Sequence, residues 1–224
     1  MSSTQRRGPA RPDHRLADGA KRTEILAAAT ERFGRDGYDS TKWADIAADV
    51  GVGPTALYHY FGSKQHCLFV ILDEAVQDAL ERFERATGKH SEPMVALHAL
   101  VADAFDVTPH EVQRLRVLVA EHGLLAVPRK SPREEHARQI ARARTRALEM
   151  AWATFLARAM ERGVIPESDA RLLARAVLGL YNSIWQWYRP HGPIAFSVVS
   201  DFFRIRMLEL LGVKFQSHEA AEAA

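Results

Sequence analysis

The segment TKWADIAADVGVGPTALYHYF, Thr41 to Phe61, constrains the chain more than any other, because its apolar spacing and helix breakers divide it into two short helices around a tight turn. Ile46, Ala47 and Val50 recur at helical spacing and give the first helix an apolar face, and Gly51 ends it, since glycine reaches positive φ without a Cβ clash. Thr41 is the expected N-cap of that helix. Pro54 stands where a second helix begins, in a first-turn slot where its missing N–H costs nothing, and Leu57 and Phe61 are four apart to dock that helix inward. The pattern is a helix-turn-helix. Thr55, Tyr58, His59 and Tyr60 are left pointing outward, with Lys42 and Lys64 at the flanks. Hydroxyls, an imidazole, ammonium groups and aromatic rings of this kind suit phosphates, sugars and base edges. The competing reading is an αα-hairpin inside a helical bundle, its polar residues facing only solvent.

Beyond Lys64 the chain reads as helix after helix, with no alternating strand pattern, so the predicted class is all-α. Leu68, Leu72, Val76, Ala79 and Phe83 form one apolar stripe that ends near Gly88, and Leu97, Leu100, Val101, Ala104 and Phe105 form another. Thr108-Pro109-His110-Glu111 is a capping box, followed by Val112, Leu115 and Val119 and a stop near Gly123. Ser131-Pro132-Arg133-Glu134 repeats the device and opens a helix that runs to Gly163, about 45 Å at about 1.5 Å per residue. Two more helices are predicted over 168–188 and 194–211, split by the Arg189-Pro190-His191-Gly192-Pro193 breaker.

The 224 residues, 47% hydrophobic and 26% charged, have an ordinary soluble composition and length enough for a real core. The net charge of +2 hides a basic leader, where Arg6, Arg7, Arg11, Arg15, Lys21 and Arg22 face only Asp13 and Asp18. Gly8, Pro9 and Pro12 break any helix there, so residues 1–22 are expected as a flexible arm that adds phosphate attraction without reading sequence. The single cysteine, Cys67, excludes an intramolecular disulfide and fits a reducing cytoplasm as a small buried hydrophobe. No run reaches the roughly 18 apolar residues of a membrane helix, so a soluble cytoplasmic protein without membrane partners is expected.

From Arg22 to Leu68 the landmarks Ile25-Leu26, Phe33-Gly34, GYDST from Gly37, DIAADVGV from Asp45, LYHYF from Leu57 and Ser63-Lys64 resemble the N-terminal domain of TetR-family transcriptional regulators. The resemblance implies a three-helix DNA-binding domain over residues 23–66, an effector-binding and dimerisation bundle over 67–216, and a flexible tail over 217–224. It implies operator contacts from Thr41, Lys42, Pro54, Thr55, Tyr58, His59, Tyr60 and Lys64. Tyr58, Tyr60 and Lys64 would hold phosphates, while Lys42, Pro54, Thr55 and His59 would discriminate bases. This chain departs from the common pattern at Gly53, where relatives often carry serine, and at Thr55-Ala56, where they often carry Gly-Thr or Gly-Ser. Losing a serine cap to glycine costs only about a few tenths of a kcal/mol, so the helix survives and base preference is what changes. Trp43 replaces a smaller apolar residue; packing is its expected role, with a DNA contact second.

The family pairs through its C-terminal helices, which implies a homodimer reading a palindrome with half-sites about 34 Å apart. Leu173, Val177, Leu180, Ile184 and Trp187, with Val198, Val199, Phe202, Phe203 and Ile205, are the candidate faces, and each stripe could equally be internal core. Trp152, Phe155, Tyr181, Asn182, Trp185 and Tyr188 form a late aromatic set suited to a small hydrophobic effector, the alternative being core and interface residues. The segment LGLYNSIWQWYRPHGP, Leu178 to Pro193, resembles a TetR branch that controls fatty-acid or steroid catabolism and responds to acyl-CoA thioesters. Arg138, Arg142 and Arg146 could then meet CoA phosphates, or simply form a solvated face. Repression, rather than activation, follows the habit of the family.

Catalysis finds no support in the motifs. HExxH, GxSxG, a P-loop and paired cysteines are all missing, and the ten histidines include no i, i+4 pair, so neither an enzyme nor a metal cofactor is expected.

Overall fold

Proline opens four of the helices in the computed structural model, which describes residues 13–213. The order is α1 Asp13–Asp36, α2 Trp43–Asp49, α3 Pro54–Tyr60, α4 Lys64–Lys89, α5 Pro93–Asp103, α6 Pro109–Glu121, a 3-10 turn His122–Ala126, α7 Pro132–Glu161, α8 Ala170–Trp187 and α9 Phe196–Leu210. The described residues contain no strand, and none of their helices is long and apolar enough to cross a membrane.

Local chemistry explains most boundaries. Gly51 stands at φ 65° after α2, and the Val52 and Gly51 N–H groups close back on the Ala47 and Ala48 carbonyls at 3.0 and 3.2 Å, the bonding pattern of a glycine C-cap. At α6 the Thr108 hydroxyl accepts from the Glu111 N–H and the Glu111 carboxylate accepts from the Thr108 N–H, a complete capping box. Two expected caps are corrected. Lys42, not Thr41, precedes α2; the Thr41 hydroxyl turns back to donate to the Gly37 carbonyl at 2.8 Å, closing the turn after α1. Ser131 makes no side-chain cap on α7, and the Glu134 carboxylate, which would complete the box from its side, is bonded to Ser63 instead.

The basic leader is corrected as well. α1 starts at Asp13, so residues 13–22 are helical; the Lys21 ammonium reaches the Val50 carbonyl at 3.1 Å, and the Arg22 guanidinium lies 4.9 Å from the centre of the Phe61 ring. Arg6, Arg7, Arg11 and the 217–224 tail lie outside the described residues.

Two apolar cores run through the molecule. The first joins Ile25, Ile46, Leu57, Phe61 and Leu68 with Leu118, Leu125, Ala137 and Ala141, so α6, the 3-10 turn and the start of α7 pack into the helix-turn-helix end. The second gathers Phe83, Leu97, Trp152, Leu156, Val177, Ile184 and Trp185 in the bundle. Helix α4 belongs to both: its first half closes the N-terminal core and Phe83 enters the other.

Candidate nucleic-acid interface and effector cavity

Helices α2 and α3 are held from beneath by Ile46, Leu57 and Phe61, all fully buried, so the opposite face of α3 is free to meet a partner. Lys42, Pro54, Thr55, Tyr58 and His59 are exposed there, Tyr58 by 53% of its surface, and Tyr60 is half-buried. Thr41 and Lys64 behave differently. Thr41 is buried, and Lys64 donates to the Tyr38 and Thr41 carbonyls at 2.7 and 2.8 Å while its ammonium sits 4.2 Å from the Tyr38 ring centre. An ammonium group has three protons, so Lys64 locks the turn before α2 and keeps one donor for a further acceptor. Trp43 is half-buried and packs edge-on to Phe61 at 6.5 Å, in line with the packing role expected of it. Arg32 on α1 forms a two-pronged bond with Asp49 on α2, one arm 2.7 Å long, and this bond first of all holds the Asp49 carboxyl below its ordinary range. Cys67 is fully buried, which pushes its thiol up and removes it as a reactive thiolate.

In the bundle a cavity of about 390 Å³ lies among α4, α5, α6, α7, α8 and α9. Its walls are mostly apolar, from Val76, Phe83, Leu100, Leu118, Leu148 and Val177. Of the six residues expected there, Trp152, Tyr181 and Asn182 line it, whereas Phe155, Trp185 and Tyr188 do not. Phe155 packs edge-on to Phe83 at 6.1 Å, and Trp185 is buried among Tyr181, Tyr188 and Phe196, so these aromatics serve as core. The Tyr181 hydroxyl donates to the Ala104 carbonyl at 2.8 Å, and burial pushes its pKa up, so it is neutral.

Polar groups in the cavity wall were invisible to the aromatic pattern in the sequence. Arg82 is paired with Glu111, and Arg175, 65% exposed at the side chain, pairs with Glu149 at 2.7 Å. The Asn182 amide makes no hydrogen bond to the described residues. Nothing in the sequence marks Arg82 and Glu111, 29 positions apart, as partners. The arginine stripe on α7 needs a correction too. Arg138 is buried, bonded to Glu135 at 2.6 and 2.8 Å and to the Leu125 carbonyl at 2.5 Å, and in turn holds Glu135 down to about 2. Its guanidinium is spent on folding, while Arg142 and Arg146 remain exposed.

The C-terminal helices carry an unpaired apolar face. Leu172 near the start of α8 and Val198 near the start of α9 are each 62% exposed, and Trp187 at the end of α8 and Phe202 on α9 are exposed as well. Val177, Ile184 and Val199, expected as interface candidates, are core, because the inward side of α8 and α9 packs against the cavity and its aromatic floor. Among the described residues no group of three or more His, Cys, Asp or Glu side chains could hold a metal ion.

A helix-turn-helix module carried on a helical bundle with a ligand-sized cavity defines a class, the two-domain helix-turn-helix regulators. Residues 25–71 match the bacterial regulatory proteins of the tetR family, and residues 93–210 match the tetracyclin repressor-like C-terminal domain. The chain belongs to the TetR family of transcriptional regulators. It is 26% identical over 177 residues to the transcriptional repressor KstR2 of Mycobacterium tuberculosis, covering 78% of this chain and 84% of that one. The TetR-family regulator PfmR from Thermus thermophilus superposes with a TM-score of 0.68 at 26% identity, over 86% of this chain and 99% of its own. AibR, solved with isovaleryl coenzyme A and operator DNA, shares the fold at a TM-score of 0.69 and 21% identity, over 84% and 97%.

Proposed function

We propose that the protein is a homodimeric repressor that binds a palindromic operator through α3 and releases it when a small hydrophobic effector enters the bundle cavity. Dimerisation is typical of the family, and the apolar face of Leu172, Trp187, Val198 and Phe202 supports pairing through α8 and α9. Lys42, exposed at the start of α2, and Pro54, Thr55 and His59, exposed on the recognition helix, are the base-reading candidates. Tyr58, Tyr60 and the remaining donor of Lys64 serve the phosphates; Thr41 supports the turn beneath them.

The observation that carries the effector reading is the charge state of the cavity. Its arginines are already paired with Glu111 and Glu149, which favours a neutral, apolar ligand body whose one polar group meets the Asn182 amide. A ligand with an anionic tail would keep that tail outside the apolar cavity, where Arg142 and Arg146, exposed on α7, offer cations. An acyl-CoA thioester has this two-part character. KstR2 has been described as a ketosteroid transcriptional regulator and AibR was solved with an acyl-CoA, which supports the same class here. The cavity has room for an acyl or ring portion, with the nucleotide outside. Thermal unfolding with octanoyl-CoA, with a steroid acid and with free CoA tests this reading. Stabilisation by the thioester and not by free CoA is expected; no stabilisation by octanoyl-CoA at concentrations well above micromolar contradicts the thioester assignment.

A further inference from the structure

The turn that ends the recognition helix is held by a residue from the effector-binding bundle. Phe61 closes α3 by donating its N–H to the Leu57 carbonyl at 2.9 Å, and the Gly62 N–H donates to His66 Nδ1 at 3.1 Å. Ser63 then caps α4, its Oγ accepting from the His66 N–H at 3.0 Å, and the same hydroxyl donates to Glu134 Oε1 at 2.5 Å across 71 residues of sequence. A serine hydroxyl has one proton and two lone pairs, so both roles are compatible and the proton is committed to Glu134. Arg133 lies against Gly62, with its Cδ 3.3 Å from where a glycine Cβ would stand.

This end of α7 is fixed to the N-terminal core. Ala137 and Ala141 are buried there, and the buried Arg138 bonds Glu135 and the Leu125 carbonyl. Thr145, Leu148, Glu149 and Trp152 of the same unbroken helix line the cavity. They lie eleven to eighteen residues on from Glu134, about 16–27 Å at about 1.5 Å per residue. Helix α4 makes the same journey, from Ser63 at its cap to Val76 and Phe83 at the cavity. Two rods therefore leave the cavity and meet at one hydroxyl.

We propose that Glu134 is a positioning residue for the recognition helix: through Ser63 it couples α7 to the α3–α4 turn and fixes the angle at which each protomer presents α3. The inference rests on the operator-binding reading. With α4 alone the turn keeps its cap but loses its second support, so the separation of the two recognition helices in the dimer becomes less defined. Inserting one base pair between half-sites moves them about 3.4 Å and about a tenth of a turn, so half-site spacing reports that definition directly.

The test uses the full-length protein on duplexes first selected from a random pool and then rebuilt with the spacer shortened or lengthened by single base pairs. The wild type is expected to prefer one spacer by at least about tenfold in Kd, and Glu134→Ala to reduce that preference below about threefold. Glu134→Gln keeps a carbonyl oxygen to accept from Ser63 and retains most of the preference. Ser63→Asp keeps an acceptor for the α4 cap but loses the donor and sets two carboxylates together, so it behaves like Glu134→Ala. Loss of folded protein alone scales every spacer down equally and leaves the preference intact. The proposal is overturned if Glu134→Ala stays within about twofold of the wild-type preference, if Glu134→Gln loses as much as Glu134→Ala, or if the wild type tolerates all spacers equally. A wild type that enriches no duplex at all overturns the operator-binding reading itself, and the coupling with it.

Discussion

Arg116 on α6 donates to the Tyr188 carbonyl at 2.6 Å, and the other side of its guanidinium reaches the Gly34 carbonyl at 3.0 and 3.3 Å. Gly34 is in the last turn of α1 and Tyr188 is the C-cap of α8, so one cation satisfies two helix C-termini whose carbonyls have no partner in their own helix. It also ties the helix-turn-helix domain to the floor of the effector bundle. Arg116→Ala is expected to lower stability by about 1.5–3 kcal/mol, the range for hydrogen bonds to a charged group, read as a drop in the urea midpoint at constant slope. Arg116→Lys, with no fork to span both carbonyls, should fall between the two.

Gly212 follows α9 at φ 74°, and a Cβ there would stand 2.6 Å from the Pro166 ring. The ring cannot swing aside as a long side chain would. Gly212→Ala therefore combines left-handed strain with overpacking and should cost about 2–4 kcal/mol in chemical denaturation, weakening the seat of α9 and with it the dimer. A neutral Gly212→Ala would show that this junction is looser than its geometry.

How far the sequence reached depended on the range of the interaction. Helix order was legible because Gly51, Gly163, Pro54, Pro109 and Pro132 act on their own backbone, and the Thr108–Glu111 box spans only one turn. Side-chain destinations were less so. Thr41 and Ser131 have the chemistry of caps, yet Thr41 closes a neighbouring turn and Ser131 makes no side-chain cap. Arg138 sat in a periodic basic stripe, but the Leu125 carbonyl 13 residues earlier claimed it. In the aromatic set, Trp152 on α7 and Tyr181 on α8 line the cavity, while Trp185, one turn beyond Tyr181 on nearly the same face of α8, is core, a difference of position along the helix that periodicity does not reveal. Arg116 and Glu134 could not be found from sequence, because their partners lie 72 and 71 positions away.

His66 gives the α3–α4 turn a pH dependence. Its pKa is lowered from the ordinary 6.5, first by burial and then by Arg22 and Arg133, with Glu134 opposing and His136 adding to the effect. The neutral ring is also needed for Nδ1 to accept from the Gly62 N–H. The unfolded chain therefore binds the proton more readily than the folded one, and stability is lost as pH falls below the unfolded value of 6.5 toward the lower folded value. His110 is shifted in the same direction, chiefly by burial. Thermal midpoints should fall between neutral pH and about pH 5, and His66→Asn, which keeps an acceptor for Gly62 without a titrating ring, should flatten part of that fall.

The roles proposed for Tyr58 and Thr55 separate affinity from specificity on the same helix. Tyr58→Ala should weaken binding to every duplex, specific or not, because a phosphate contact carries no sequence information. Thr55→Ala should alter discrimination at particular base pairs, by up to about 1–3 kcal/mol each, while nonspecific binding holds. Competition titrations with selected and scrambled duplexes distinguish the two; an unchanged operator affinity for Tyr58→Ala removes that residue from the interface.

Sequencing the duplexes that the full-length protein retains from a random pool tests the central claim most directly. The predicted result is an inverted repeat whose half-sites are centred about 34 Å apart, bound with a steep loss of affinity as salt rises. Recovery of no common motif, or of a single unrepeated half-site, would contradict a dimer that reads DNA with both recognition helices.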